Sequence, residues 1–180
     1  NDSIRVISVG SGNGTVERSI VEAYQKHFDP ETKLKITLVD KNPRFQAEYS
    51  TVSDLIVKCP DVVRNCVLLI IWPEAPFKND GYDIDSISKL QPRAVLTVYE
   101  PTGTSGSKNF VTWLNKCKGR WDHREKCDNK SLKLDNYTME EVAYQEVHMN
   151  AGEKIYDGIC TMPPGIRIFR FRMVKLKQTD

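Results

Sequence analysis

The chain has 180 residues, 39% of them hydrophobic and 28% charged. That is the composition of one folded globular domain spanning 1–180, and it excludes a disordered or fibrous chain. Its 26 Lys and Arg against 24 Asp and Glu leave a net charge of +2, too small a total to argue for a polyanionic partner by itself. No apolar run approaches the ~18 residues of a membrane-spanning helix, so no membrane partner is expected.

Ile4 to Val9 is short, rich in β-branched residues and closed by Gly10, which predicts a buried strand. Gly14 to Phe28 predicts a helix. Its apolar face is Val16, Ile20, Ala23, Tyr24 and Phe28, and Asp29-Pro30 stops it. Leu34 to Val39 predicts a second strand ending at Asp40, with a turn at Asn42-Pro43. Between Arg44 and Cys59 we expect a short helix and a short third strand near Leu55-Ile56-Val57. Cys66 to Trp72 is apolar throughout, as a strand covered on both faces of a parallel sheet is, and Pro73 and Pro76 break it. Ile84 to Leu90 predicts a short helix, and Ala94 to Tyr99 a strand ended by Glu100-Pro101. After a loop with Gly103 and Gly106, Asn109 to Cys117 predicts a helix with Phe110, Trp113, Leu114 and Cys117 on one face.

The last third has a different character. Gly119 to Leu134 is charged and aperiodic, and Thr138-x-x-Glu141 reads as a capping box before a helix from Glu140 to Val147. Ile155 to Thr161 and Ile166 to Leu176, around Met162-Pro-Pro-Gly165, predict a hairpin. Strands alternating with helices predict an α/β, doubly wound, mostly parallel sheet with helices on both faces and an antiparallel C-terminal hairpin. No internal repeat or linker interrupts it.

Five cysteines, Cys59, Cys66, Cys117, Cys127 and Cys160, are odd in number and widely spaced, with no CxxC pair. Neither a metal site nor a disulfide framework is expected, and a reducing intracellular compartment, cytoplasmic or nuclear, is. With Asn1-Asp2-Ser3 leading straight into the Ile4 strand, no signal peptide is expected. A glycan on the Asn13-Gly-Thr sequon would disrupt the glycine loop, which argues the same way.

Gly10-Ser11-Gly12-Asn13-Gly14 lies between the first strand and the first helix. Glycines let a ligand approach the main chain, and the adjoining helix N-terminus offers unpaired N–H groups and partial positive charge. Asp40, at the tip of the second strand, is placed to accept the ribose hydroxyls of an adenosine cofactor; its other reading is a cap on the Asn42-Pro43 turn. Dinucleotide folds prefer G-x-G-x-x-G/A, whereas this loop is G-x-G-x-G.

Val6 to Gly14 together with Leu38-Val39-Asp40 resembles the class I methyltransferases, which use S-adenosylmethionine (SAM). The resemblance implies a seven-stranded sheet, a glycine loop near the methionine part of the cofactor and an acid on its ribose. Many members carry an acid two positions before the first glycine; this chain has Ser8 there, and Glu17 in the first turn of the following helix is the acid that can compensate. The resulting cofactor residues are Ser8, Gly10, Ser11, Gly12, Asn13, Gly14, Asp40 and Lys41, with Ser53 and Asp54 on the adenine side and Trp72 packing over the cofactor. Glu74 and Glu100, at the ends of two strands on the same sheet edge, are the candidate catalytic acids. His123 and His148 read as ordinary surface residues. The function so implied is a SAM-dependent methyltransferase. A catalytically degenerate interaction subunit of that fold is a second reading, and an NAD-dependent oxidoreductase a third. The methyl acceptor is RNA, protein or a small molecule; RNA or a protein would meet the basic clusters 116–130 and 167–177.

Overall fold

A computed structural model describes residues 4–27, 33–74, 81–99, 105–116, 137–150 and 166–178. Chain order is β1 (Ile4–Val9), α1 (Thr15–His27), β2 (Leu34–Val39), α2 (Val52–Lys58), β3 (Cys66–Ile71), α3 (Tyr82–Leu90), β4 (Ala94–Tyr99), α4 (Lys108–Lys116), β5 (Tyr137–Asn150) and β6 (Ile166–Gln178). The sheet order is β2-β1-β3-β4-β6-β5. The first four are parallel, with Ile7 opposite Thr37 and Leu68, and Leu68 opposite Val95. β6 runs antiparallel to β4 and to β5. This is a Rossmann-like arrangement.

One sheet face carries Ile7, Leu68, Ile70, Val95 and Tyr99. It packs against Val52 and Leu55 of α2, Ile84, Ile87 and Leu90 of α3, and Phe110, Trp113 and Leu114 of α4, all in one buried cluster. α1 lies over the opposite face, where Glu17 contacts Ser8 and Val21 is buried. β3 is central and apolar because both of its faces are covered. Trp113 is 1% exposed and stacks on Phe110 at 6.1 Å between centroids. Trp113→Ala is expected to cost about 3–5 kcal/mol by opening a cavity, read as a lower urea midpoint with unchanged m-value.

Four expectations are corrected. Leu55-Ile56-Val57 belongs to a helix, α2, not a third strand. Thr51 caps it, its Oγ1 accepting from the Asp54 N–H at 3.1 Å, and the i, i+3 pair Val52 and Leu55 is buried. A single parallel bridge joins Val39 to Tyr49, and the described residues contain six strands. Glu140–Val147 lies within β5 and is not helical. Its pairing with β6 slips between Glu141 and Ala143, which interrupts the two-residue alternation and leaves a locally helix-like pattern. β5 is also the strand that pairs with β6; Ile155 to Thr161 lies outside the described residues. Finally, the buried side of α1 is Glu17 and Val21, while Ala23 is exposed. The helix is turned toward Ser8 and Leu38, which it meets at its first turn.

Among the described residues no helix is long and apolar enough to cross a membrane. None of them forms a cluster of three His, Cys, Asp or Glu able to hold a metal ion.

Candidate functional site: a cavity at the carboxyl ends of the parallel strands

β1 runs into the glycine loop, where Gly10, Gly12 and Gly14 all have left-handed backbone, with φ of 68°, 56° and 71°. The three differ in surroundings. A Cβ on Gly14 would lie 2.3 Å from Leu38 Cδ1, and one on Gly10 would lie 2.7 Å from the Tyr82 hydroxyl. On Gly12 it would meet nothing within 4 Å. Gly14 therefore lets α1 settle on β2, and Gly12 is where the main chain stands open to a ligand.

Asp40 is tied to this loop. Its Oδ2 accepts the Gly12 N–H at 2.8 Å, and its Oδ1 accepts the Asn42 N–H at 2.8 Å. Asp40 thus caps the turn, which is one of its two sequence readings, and also stands against the glycine loop. A carboxylate oxygen has more than one lone-pair site, so each can accept a further hydroxyl.

The loop and Asp40 form one wall of a cavity of about 730 Å³, within the range of small-molecule sites. Trp72 and Glu74 beyond β3 line it, as do Ser50 to Ser53 at the start of α2 and Tyr82, Asp85, Ser86 and Lys89 of α3. Trp72 closes β3 by donating its N–H to Val98 O at 2.8 Å and has φ 48°, an uncommon backbone for a bulky residue. Lys41 and Glu74 pair across the cavity at 3.8 Å, both well exposed. Lys89 Nζ reaches Asp85 at 2.8 Å and donates to Ser53 Oγ at 3.1 Å, joining α3 to α2. The Tyr82 hydroxyl accepts from the Glu74 N–H at 3.3 Å, and burial pushes its phenol well above its ordinary pKa, so it stays neutral.

Of the residues singled out in the sequence, Gly10, Gly12, Asp40, Lys41, Ser53, Trp72 and Glu74 share this cavity. Ser8 does not line it: fully buried under the loop, it donates Oγ–H to Glu17 Oε1 at 3.2 Å. Asn13 Oδ1 accepts from the Thr15 N–H, and Asp54 accepts from the Thr51 hydroxyl at 2.8 Å in the helix cap. Ser11 Oγ is buried and has no hydrogen-bond partner among the described residues. Glu100 and both histidines beyond α4 lie outside the described residues or among those whose side chains are not described. Asn42, Phe45, Thr51, Tyr82, Asp85, Ser86 and Lys89 went unnoticed in the sequence. Phe45, 41% exposed at the cavity, ends a 3-10 turn over Pro43–Phe45 and had a signal in its Asn42-Pro43 start. The α3 residues had none, since they meet the loop only through the fold.

Two features hold the cavity's shape. Asp83, fully buried, accepts the Ser107 N–H on Oδ2 and the Ser107 hydroxyl on Oδ1, both at 2.7 Å. The Gly106 N–H meanwhile bonds the carbonyls of Pro73 and Glu74 at 3.1 and 3.0 Å. The start of α4 is thereby fastened to α3 and to the segment after β3. Asp83→Ala strands two buried donors and is expected to cost about 3 kcal/mol or more, seen as a lowered urea midpoint.

Glu17 is the second. Burial raises its carboxyl pKa from the ordinary 4.5, outweighing the lowering by its own backbone N–H and by Ser8; nearby Asp40 raises it further. A folded-state pKa above the unfolded one favours the protonated folded form. Stability from this group is therefore full below pH 4.5 and is lost as pH rises through the raised value. Glu17→Gln keeps an acceptor for Ser8 and is expected to flatten that decline, so at neutral pH the variant melts higher than the parent. An unchanged pH profile of Tm in the variant would contradict this.

No family model matches the chain, and no curated protein matches it. Solved structures do match. One is the 16S rRNA (adenine(1408)-N(1))-methyltransferase of Catenulisporales acidiphilia, a W203A mutant with cosubstrate SAM, at 7% identity and TM-score 0.50, over 98% of this chain and 86% of that one. Another is an E. coli prophage protein described as a DNA modification methyltransferase, at 13% identity and TM-score 0.49, over 96% of this chain. A third is the 23S rRNA methyltransferase ErmE, at 13% identity and TM-score 0.40, over 94% of this chain. This chain spans 47% of the length of the prophage protein and 61% of ErmE. The fold is similar to that of the 16S rRNA methyltransferase, a Rossmann-like arrangement.

Proposed function

We propose that this chain binds SAM and transfers its methyl group. The observation that carries the proposal is the Asp40–Gly12 hydrogen bond at the wall of the cavity, which joins the strand-two acid to the one loop glycine that faces open space. The residues fit an adenosyl cofactor. Asp40 has acceptor sites for ribose hydroxyls, and Ser53, Phe45 and Trp72 furnish a polar group and two rings around the cavity. Ser8 and Glu17 act from beneath, as the support of the loop.

When bound, SAM supplies an activated methyl group on a sulfonium. The protein's task is then to hold donor and acceptor in line and to keep water out, which can supply most of the acceleration. Trp72, in its strained position, borders the acceptor side, and Glu74 stands there as a proton acceptor restrained by Lys41. The acceptor is RNA, protein or a small molecule. A second reading, a non-catalytic subunit of the same fold, is favoured by one observation: the Ser8–Glu17 pair buries its charge under the loop and not in the cavity.

Calorimetric titration with SAM and with NAD(H) separates these readings. Micromolar SAM binding is expected, with no heat from NAD(H). Affinity for NAD(H) without affinity for SAM would replace the proposal by an oxidoreductase, and affinity for neither would favour the non-catalytic subunit. Radiolabelled methyl transfer to RNA, protein and small-molecule pools then identifies the acceptor.

A further inference from the structure

The opposite edge of the sheet, where the parallel strands begin, carries a row of basic residues that the cofactor cavity does not use. Lys35 of β2 is in register with Arg5 of β1, and Arg5 with Cys66 of β3. Arg64 precedes Cys66 by two residues, and Arg93, just before β4, donates its backbone N–H to Cys66 O at 2.9 Å. Lys33 stands beside the start of β1, its carbonyl accepting the Ile4 N–H at 3.0 Å. Four adjacent strands therefore place a base at this edge, at steps of ~4.8 Å and over about 14 Å. Lys33, Lys35, Arg64 and Arg93 are exposed. Asp61 enters the row and holds Arg5 at 2.6 Å.

The row is organised as well as basic. Arg64 and Gln91 both have left-handed backbone, φ 62° and 48°, and neither is a glycine. Their side chains are bonded to each other, Arg64 Nε to Gln91 Oε1 at 2.7 Å, and Arg93 Nε donates to Arg64 O at 3.4 Å. In both arginines it is Nε that is engaged, which orients the guanidinium while its terminal nitrogens keep their donors. Gln91's left-handed backbone caps α3, its N–H bonding Ile87 O. The left-handed Arg64 and several like charges at one edge, by contrast, cost stability, and such strain clusters where a surface has a function. Planar guanidiniums at a strand-spaced interval suit phosphate oxygens, which they grip bidentately.

We propose that this edge is a docking surface for the phosphate backbone of single-stranded nucleic acid, separate from the cavity on the far edge. The guanidiniums and lysines read the backbone and not the bases, so binding is salt-dependent and indifferent to sequence. It does not rest on SAM binding. The test is fluorescence anisotropy of a labelled uridine oligonucleotide of about 12 residues, without cofactor, at several salt concentrations. Arg64→Glu/Arg93→Glu is expected to weaken binding at least about tenfold and to reduce the slope of log K against log salt by about 1.4, ~0.7 for each lost phosphate contact. Lys33→Glu/Lys35→Glu, at exposed positions away from the Arg64–Gln91 bond, is expected to weaken it similarly. Arg64→Lys/Arg93→Lys retains most of the salt slope. Circular dichroism melting confirms that each variant is folded. Unchanged affinity in both charge-reversal variants overturns the proposal. So does parental binding to phosphatidylserine vesicles or to polyglutamate that equals or exceeds binding to the oligonucleotide, which would reassign the edge to a membrane or to an acidic protein.

Discussion

Asp40→Asn is expected to lower the affinity for SAM by about 100-fold, close to 3 kcal/mol, and to destabilise the apo protein at the same time. The reason lies in the acceptor count. Both carboxylate oxygens of Asp40 receive backbone N–H groups, from Gly12 and from Asn42, each at 2.8 Å. An amide has one oxygen and one NH2 group. Whichever way it is turned, its NH2 faces an N–H, so one of those hydrogen bonds is lost and replaced by a repulsive contact. Loss of a charged acceptor costs about 1.5–3 kcal/mol in the apo state, and the displaced loop or turn then costs binding besides. Asp40→Glu keeps the charge and moves it by one methylene; it is expected to fall between the two. Calorimetry measures the affinities, and urea denaturation the stability. If Asp40→Asn binds SAM as tightly as the parent, the carboxylate is a turn cap and nothing more.

The second large effect separates packing from binding within five residues. Gly14→Ala places a methyl 2.3 Å from Leu38 Cδ1 and holds an L-residue at φ 71°. Leu38, on the edge strand β2, is 2% exposed, so its packed side chain has little room to swing aside. Backbone strain of about 1–2 kcal/mol and overpacking of about 1–3 kcal/mol add to roughly 2–5 kcal/mol, or about 10 °C in Tm for a chain of this size. Gly12→Ala meets no atom within 4 Å and bears only the strain of φ 56°. It is expected to melt within a few degrees of the parent while weakening SAM, because its methyl enters the ligand space. Equal losses of stability in the two variants would contradict the division of labour between these glycines.

The parallel half of the fold was legible residue by residue. Leu34–Val39 and Ala94–Tyr99 are strands with the expected bounds, and Cys66–Ile71 stops one residue short of the expected Trp72, which turns left-handed, because β-branched runs closed by Gly, Asp or Pro leave few other conformations. The buried face of α4 was legible for the same reason, since Phe110, Trp113 and Leu114 recur at helical spacing. Where a few residues had to choose between helix and strand, short-range pattern failed. Leu55-Ile56-Val57 is as β-branched as any strand, yet Thr51 and Asp54 cap a helix there and Val57 is left 82% exposed. Tyr137 to Asn150 was hidden by the slip in its pairing with β6, a contact between segments distant in sequence.

The site divides along the same line. Gly10, Gly12, Asp40 and Trp72 were legible because they sit at strand ends, where chain order alone brings them to one edge. Tyr82, Asp85 and Lys89 were not, since a helix arriving between two later strands contributes them. Ser8 was legible as a departure, but its partnership with Glu17 required knowing that α1 turns its Glu17–Val21 side inward.

The most direct measurement is an amide-resolved NMR titration of the labelled protein with SAM. Saturable shifts are predicted at Gly10, Gly12, Asp40, Ser53 and Trp72, with the Gly12 amide among the largest because its hydrogen bond to Asp40 lies at the ligand wall. The amides of Arg64 and Arg93, at the far edge of the sheet, are predicted to stay still. Shifts that leave Gly12 and Asp40 in place, or no saturable shift at all, would contradict a SAM site at the glycine loop.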